Sequence, residues 1–131
     1  MAHKEIELIL TRQLADSLAL PIFLVDVDGT LLFYNEPAEK ILGRRFEETG
    51  PLSGPEWRAA FAAADDEGKP AQGEDRVLTT ALTQRRPAHA LLRIRCFDGV
   101  VRRLQITGIP LIGRGDRFLG AVAIFWEAKQ V

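Results

Sequence analysis

The chain has 131 residues and 14.6 kDa, with 47% hydrophobic and 27% charged residues and a formal charge of -1. That length supports one core burying roughly two thirds of the unfolded surface, which excludes a two-domain layout and any need for disulfides or a structural metal. Cys96 is the sole cysteine and His3 and His89 the sole histidines, so Cys/His zinc sites lack their ligands and a thiol-reducing cytoplasm fits best. No apolar run nears the roughly 18 residues of a membrane span, and MAHKEIEL has no signal-peptide core; a soluble, non-exported protein is expected.

Over residues 3–18, Ile6, Leu10, Leu14 and Leu18 recur at every fourth position among Lys4, Glu5, Glu7, Arg12 and Asp16, which predicts an amphipathic helix ending before Pro21. A helix of about four turns needs a surface for its stripe, either its own domain or a second copy. IFLVDV and TLLFY, separated by Asp28-Gly29, predict strands at 22–27 and 30–34 around a two-residue turn. Asn35 before Glu36-Pro37, with Gly43 beyond Ile41 and Leu42, marks a capped short helix. Ser53 and Glu56 form a capping box ahead of Trp57, Ala60, Phe61 and Ala64, and Val77, Leu78, Ala81 and Leu82 suggest a further helix closed by Pro87.

From Ala88 the period returns to two, through HALLRIRCF, VVRRLQITGIPL and RFLGAVAIFW. The order β-β-α-α-α-β-β-β, with strands joined by tight turns, implies an α+β fold with helices on one face of an antiparallel sheet. Leu92, Ile94 and Cys96 share a parity with Leu104 and Ile106, so even residues must face even residues. This calls for a three-residue loop, Phe97-Asp98-Gly99, with Gly99 left-handed. Arg93, Arg95 and Arg103 then occupy the opposite face.

IFLVDVDGTLL resembles the opening signature of haloacid-dehalogenase-type phosphatases, which would make Asp26 a nucleophile and Asp28 an acid/base beside magnesium. The other elements that family requires are poorly matched. Thr79, Lys69 and Asp65-Asp66 fall in predicted helices and loops in the wrong order, and three hairpin-like strands leave no room for a parallel sheet.

Read further, IFLVDVDGTLLFYNEPAEKILG is similar to the opening of a PAS domain: a hairpin with D-G at its turn, an asparagine, then A-E-x-I-L-G on a short helix. CFDGVVRRLQITGIPLIGRGDRFLGAVAIFWE is similar to that family's final strands, including Pro110 and the spacing from Gly115 to Val122, while Trp126-Glu127-Ala128 replaces the frequent D-I-T ending. The resemblance implies a five-stranded antiparallel sheet in the order 2-1-5-4-3, with helices enclosing a cavity on one face and Asn35 tying the second strand to its helix. It divides the chain into a helix over 1–20 and a PAS domain over 21–128. It also implies a non-enzymatic sensory or protein-interaction module in signal transduction.

The cofactors known from that family find little here. The flavin-photosensor signature N-C-R-F-L-Q is missing, and Cys96 sits at an inward parity that suits a buried structural thiol. Haem would want a histidine on the third helix, whereas His89 starts a strand on the parity of Arg93 and Arg95. An apolar pocket, solid or holding a small ligand, is expected among Tyr34, Ile41, Phe46, Trp57, Phe61, Leu78, Leu82, Leu92, Ile94, Leu104, Ile106 and Ile124. Gly29, Asn35 and Gly99 are the expected structural residues.

Residues 1–84 carry a net charge of -7 and residues 85–117 a net +6, from eight arginines and two aspartates. An acidic protein partner at Arg93, Arg95 and Arg103 suits this patch better than nucleic acid, since aromatic interleaving is sparse. RFLGAVAIFW is apolar at both parities, so its outer face needs a cover. A homodimer joined through Ile6, Leu10, Leu14 and Leu18 and through Leu119, Ala121 and Ala123 is expected.

Overall fold

Asn35 is the residue around which the N-terminal half closes. Its buried Oδ1 accepts from the Ala38 N–H at 3.2 Å, capping a helix, and from the Ile22 N–H at 3.0 Å, while Nδ2 donates to the Leu20 carbonyl at 2.6 Å. One side chain thereby joins the starts of a strand and of a helix. The computed structural model that shows this describes residues 6–73 and 76–128, with the backbone alone for Ile6 and Glu7.

The elements are α1 (Ile6–Leu18), β1 (Ile22–Val25), β2 (Leu31–Tyr34), α2 (Glu36–Leu42), α3 (Phe46–Thr49), α4 (Gly54–Ala60), β3 (Ala63–Ala64), α5 (Val77–Gln84), β4 (Ala88–Arg95), β5 (Val101–Ile112) and β6 (Phe118–Glu127). All neighbouring strands are antiparallel, in the order β2-β1-β6-β5-β4-β3. This is the expected order with one strand added: two-residue β3 pairs with Ile94 and Arg93 of β4, and α3 is a further unforeseen single turn. Two alanines and four residues are too short to show a period in the sequence.

The predicted caps are present. Ser53 and Glu56 exchange capping-box hydrogen bonds, and Gly43 ends α2 in the left-handed region. The β4–β5 hairpin turns through Phe97, Asp98 and Gly99, with Cys96 N–H donating to the Val100 carbonyl and Gly99 at φ +80°. The first hairpin differs from expectation. Its strands are shorter, because the Asp26 Oδ1 accepts from the N–H groups of Asp28 and Thr30 and closes a three-residue loop, Val27 to Gly29, with Gly29 at φ +83°.

A bulge decides which side of β6 faces the helices. At the hairpin end Ile112 pairs with Phe118, but beyond Leu119 the register moves by one, Leu111 to Gly120 and Gly108 to Ala123. A one-residue shift exchanges the two faces of a strand. Ala121, Ala123 and Phe125 consequently point into the main core, and Leu119, Val122 and Ile124 point the other way, the reverse of the expected assignment for Ile124, Ala121 and Ala123. Gly120 permits the bulge at φ +139°, and a Cβ there would collide with the Val25 carbonyl of β1.

Two cores result. The main one lies between the sheet and α2, α4 and α5. The smaller one lies on the outer face, where Leu8 and Ala15 of α1 pack on Ile22, Leu24, Leu119 and Val122. The helix covers its own sheet with Leu8 and Ala15, so Leu119, expected at a dimer interface, is already buried in the monomer. The stripe of Leu10, Leu14 and Leu18 faces away, at 54%, 61% and 57% exposure. Ile6, the first residue of that stripe, has a side chain outside the described residues.

Candidate functional site

Between the sheet and helices α4 and α5 lies a cavity of about 360 Å³. Gly108 on β5 lets the first residue of α5 sit against the sheet at one end of the cavity, since a Cβ there would come within 2.6 Å of Val77 Cγ1, while Ala123 and Ala63 on its wall leave space that larger side chains would fill.

The wall toward the first hairpin is aromatic. Phe23 is stacked with Tyr34, ring centroids 6.3 Å apart, and meets Trp57 and Phe61 edge-on at 5.3 and 6.0 Å. The Trp57 indole N–H donates to the Gly29 carbonyl at 2.8 Å, which ties α4 to the turn between β1 and β2. Phe61 in turn meets Phe97 edge-on at 4.6 Å. Leu92, Ile94, Leu104 and Ile106 form the sheet side of the cavity, and Leu78 lines it from α5.

Seven of the twelve residues expected around a pocket therefore line this cavity: Trp57, Phe61, Leu78, Leu92, Ile94, Leu104 and Ile106. Tyr34, Ile41, Phe46 and Leu82 belong to the same core without reaching the cavity, and Ile124 lies on the opposite face of the sheet because of the β6 bulge. Phe23, Ala123 and Phe125 were not anticipated as lining residues. Phe125 and Ala123 would have followed from the correct parity of β6, and Phe23 from its place on the neighbouring strand.

Among the described residues the polar lining is Arg58, Arg76 and Thr79, with no acidic side chain. Pro70 and Arg76 are exposed, which puts the mouth at the start of α5. The half-buried guanidinium of Arg58 lies 4.9 Å from the centre of the Trp57 ring.

Other predicted residues have structural roles. The Asp26 carboxylate is committed to its own turn and Asp28 is exposed at an antiparallel hairpin, so the two do not project from the end of a parallel strand as phosphatase chemistry requires. Cys96 is buried, its Sγ directed at the Ile94 carbonyl, and burial pushes its pKa up. His89 is exposed between Thr107 Oγ1 and Gln105 Oε1, each at 2.7 Å. In the arginine patch Asp66 accepts two hydrogen bonds from Arg103, at 3.0 and 2.7 Å, and lies 3.6 Å from Arg93, which holds its carboxyl below the usual range.

A family model for the PAS fold matches residues 10–126, and the chain belongs to that family. No curated protein sequence matches it. Among solved structures, the PAS domain of Bordetella pertussis BvgS is 20% identical with a TM-score of 0.66, covering 96% of this chain and 89% of that one. A PAS domain from Colwellia psychrerythraea is 17% identical with a TM-score of 0.65, over 92% and 97% of the two chains. The light-state dimer of the fungal blue-light photoreceptor Vivid is 14% identical with a TM-score of 0.62, over 83% and 78%. Identities this low speak for the fold alone. Among the described residues no helix is long and apolar enough to cross a membrane.

Proposed function

We propose that this chain is a sensory module of cytoplasmic signal transduction, without catalytic activity of its own, that takes a small and mainly apolar ligand into the cavity between its sheet and helices. The observation that carries this reading is the cavity itself: about 360 Å³ walled by aromatic and aliphatic side chains, within the range of small-molecule sites. Trp57 and Phe61 face the space and reach out of it, Trp57 to the Gly29 carbonyl and Phe61 to Phe97. A ligand that moves either ring is thereby coupled to both hairpin turns. Native mass spectrometry of freshly purified protein tests the reading. A small molecule retained by the folded chain and released on unfolding is the expected result; a chain that is unliganded and binds none of a panel of apolar compounds opposes it.

We propose further that residues 1–20 act as an interaction helix beside a PAS domain at 21–128, and that the chain works as a homodimer. Leu10, Leu14 and Leu18 form an exposed apolar stripe on a helix whose other side is already packed, and a second copy of the same stripe is the simplest cover. The Vivid structure is itself a dimer, which supports the same assembly here. Replacing Leu10 and Leu14 with Glu should turn dimer into monomer in sedimentation equilibrium; a wild-type protein monomeric at high micromolar concentration refutes it. An acidic protein partner would meet Arg95 most readily, since Arg93 and Arg103 already engage Asp66.

A further inference from the structure

We propose that the occupant of the cavity is an amphipathic organic acid, its apolar body among the aromatic and aliphatic walls and its carboxylate at the mouth with Arg58 and Arg76. This rests on the ligand-binding reading above and adds the charge and shape of the ligand. Among the described residues the ionic lining of the cavity is of one sign: Arg58 and Arg76 stand on its wall with the neutral Thr79, and none of the described aspartates or glutamates lines it.

Elsewhere on the described surface several arginines are matched to acids: Arg45 to Glu47 and Glu48, Arg93 and Arg103 to Asp66, and Arg102 to Asp98. Among the described residues no carboxylate lies within salt-bridge distance of Arg58 or Arg76. Arg58 also packs against its neighbours. Its guanidinium lies over Trp57, and its Nη1 fits against Gly54 so closely that a Cβ on Gly54 would stand 2.7 Å away. A half-buried guanidinium on the wall of an apolar cavity, with no counter-ion among the described residues, favours an anionic head group over a neutral one and disfavours a cation.

The volume sets the size of the body. At about 30 Å³ per water-sized group, the cavity has room for roughly ten to twelve non-hydrogen atoms. A medium-chain or aryl-substituted monocarboxylic acid has these dimensions. Dicarboxylates and sugar acids do not fit, because a second charge or several hydroxyls would be buried against Leu92, Leu104 and Phe125 without partners.

The test compares octanoate, 1-octanol and octylamine on the full chain carrying Trp126→Phe, so that Trp57 alone reports by its emission; calorimetry provides a second reading. Octanoate should bind about tenfold more tightly than 1-octanol, as expected for a partly solvated charge-assisted pair, and octylamine should bind most weakly. In Arg58→Gln with Arg76→Gln the ratio between octanoate and 1-octanol should fall to near one. Arg76→Gln alone should lower it partway, and since Arg76 is exposed this variant keeps the test sound if the double variant folds poorly. Added salt should reduce the preference for octanoate in the unmodified chain. If 1-octanol binds and octanoate binds no more tightly, the anionic ligand is refuted while the apolar cavity site stands. If neither binds, both readings are refuted.

Discussion

Replacing Asn35 with alanine tests how the N-terminal half of the fold is held together. The substitution removes the cap of α2, worth about 1 kcal/mol, and leaves the buried N–H of Ile22 without an acceptor, at about 1–3 kcal/mol. The Leu20 carbonyl, at an exposed residue, can turn to water and adds little. A loss of about 3 kcal/mol is expected, a large part of the stability of a domain this size. Asn35→Ser keeps an oxygen within reach of the Ala38 N–H but is too short to serve Ile22, so it should recover about 1 kcal/mol relative to alanine. Urea denaturation followed by far-ultraviolet circular dichroism measures both, with an unchanged slope as the check that only stability has altered. An alanine variant less than about 1 kcal/mol below wild type, or a serine variant no better than alanine, would refute the double role of this side chain.

Phe61→Ala should destabilise by about 3–4 kcal/mol in the same assay, whereas half-buried Trp57→Ala, beside an existing cavity, should cost less, about 2–3 kcal/mol. Gly99→Val should cost more than about 1 kcal/mol through its positive φ alone, since a Cβ there meets nothing within 4 Å. Gly120→Ala should cost more than Gly99→Val, because its Cβ would also run into the Val25 carbonyl; the reverse order in chemical denaturation would contradict the bulge. Burial raises the Cys96 pKa in the folded state, so its contribution is fully present below the unfolded thiol value of about 8.5 and is lost as pH rises above it. Native Cys96 should therefore resist alkylation at pH 8 and react at the rate of unfolding; fast labelling of folded protein would contradict its burial.

Local chemistry made much of this chain legible in its sequence. Asn35, Ser53 with Glu56, and Gly43 act within a few residues of themselves, so the helices they bound could be read directly. The parity of Leu92, Ile94, Leu104 and Ile106 was enough to require a three-residue loop with a left-handed Gly99. Tertiary structure decided the rest where the sequence was symmetric or the contact distant. RFLGAVAIFW is apolar at both parities, so no pattern within it could tell inside from outside; the bulge at Leu119 and Gly120, against β1, made that choice. In α1 the conspicuous leucine stripe faces away from the sheet, because small Ala15 with Leu8 lets the helix lie close to the sheet. The cavity follows the same rule. Its lining residues look like ordinary core in the sequence, and only the packing of the short helices on the sheet, with small Ala63 and Ala123 on the wall, leaves space between them and brings Arg58 and Arg76 to it.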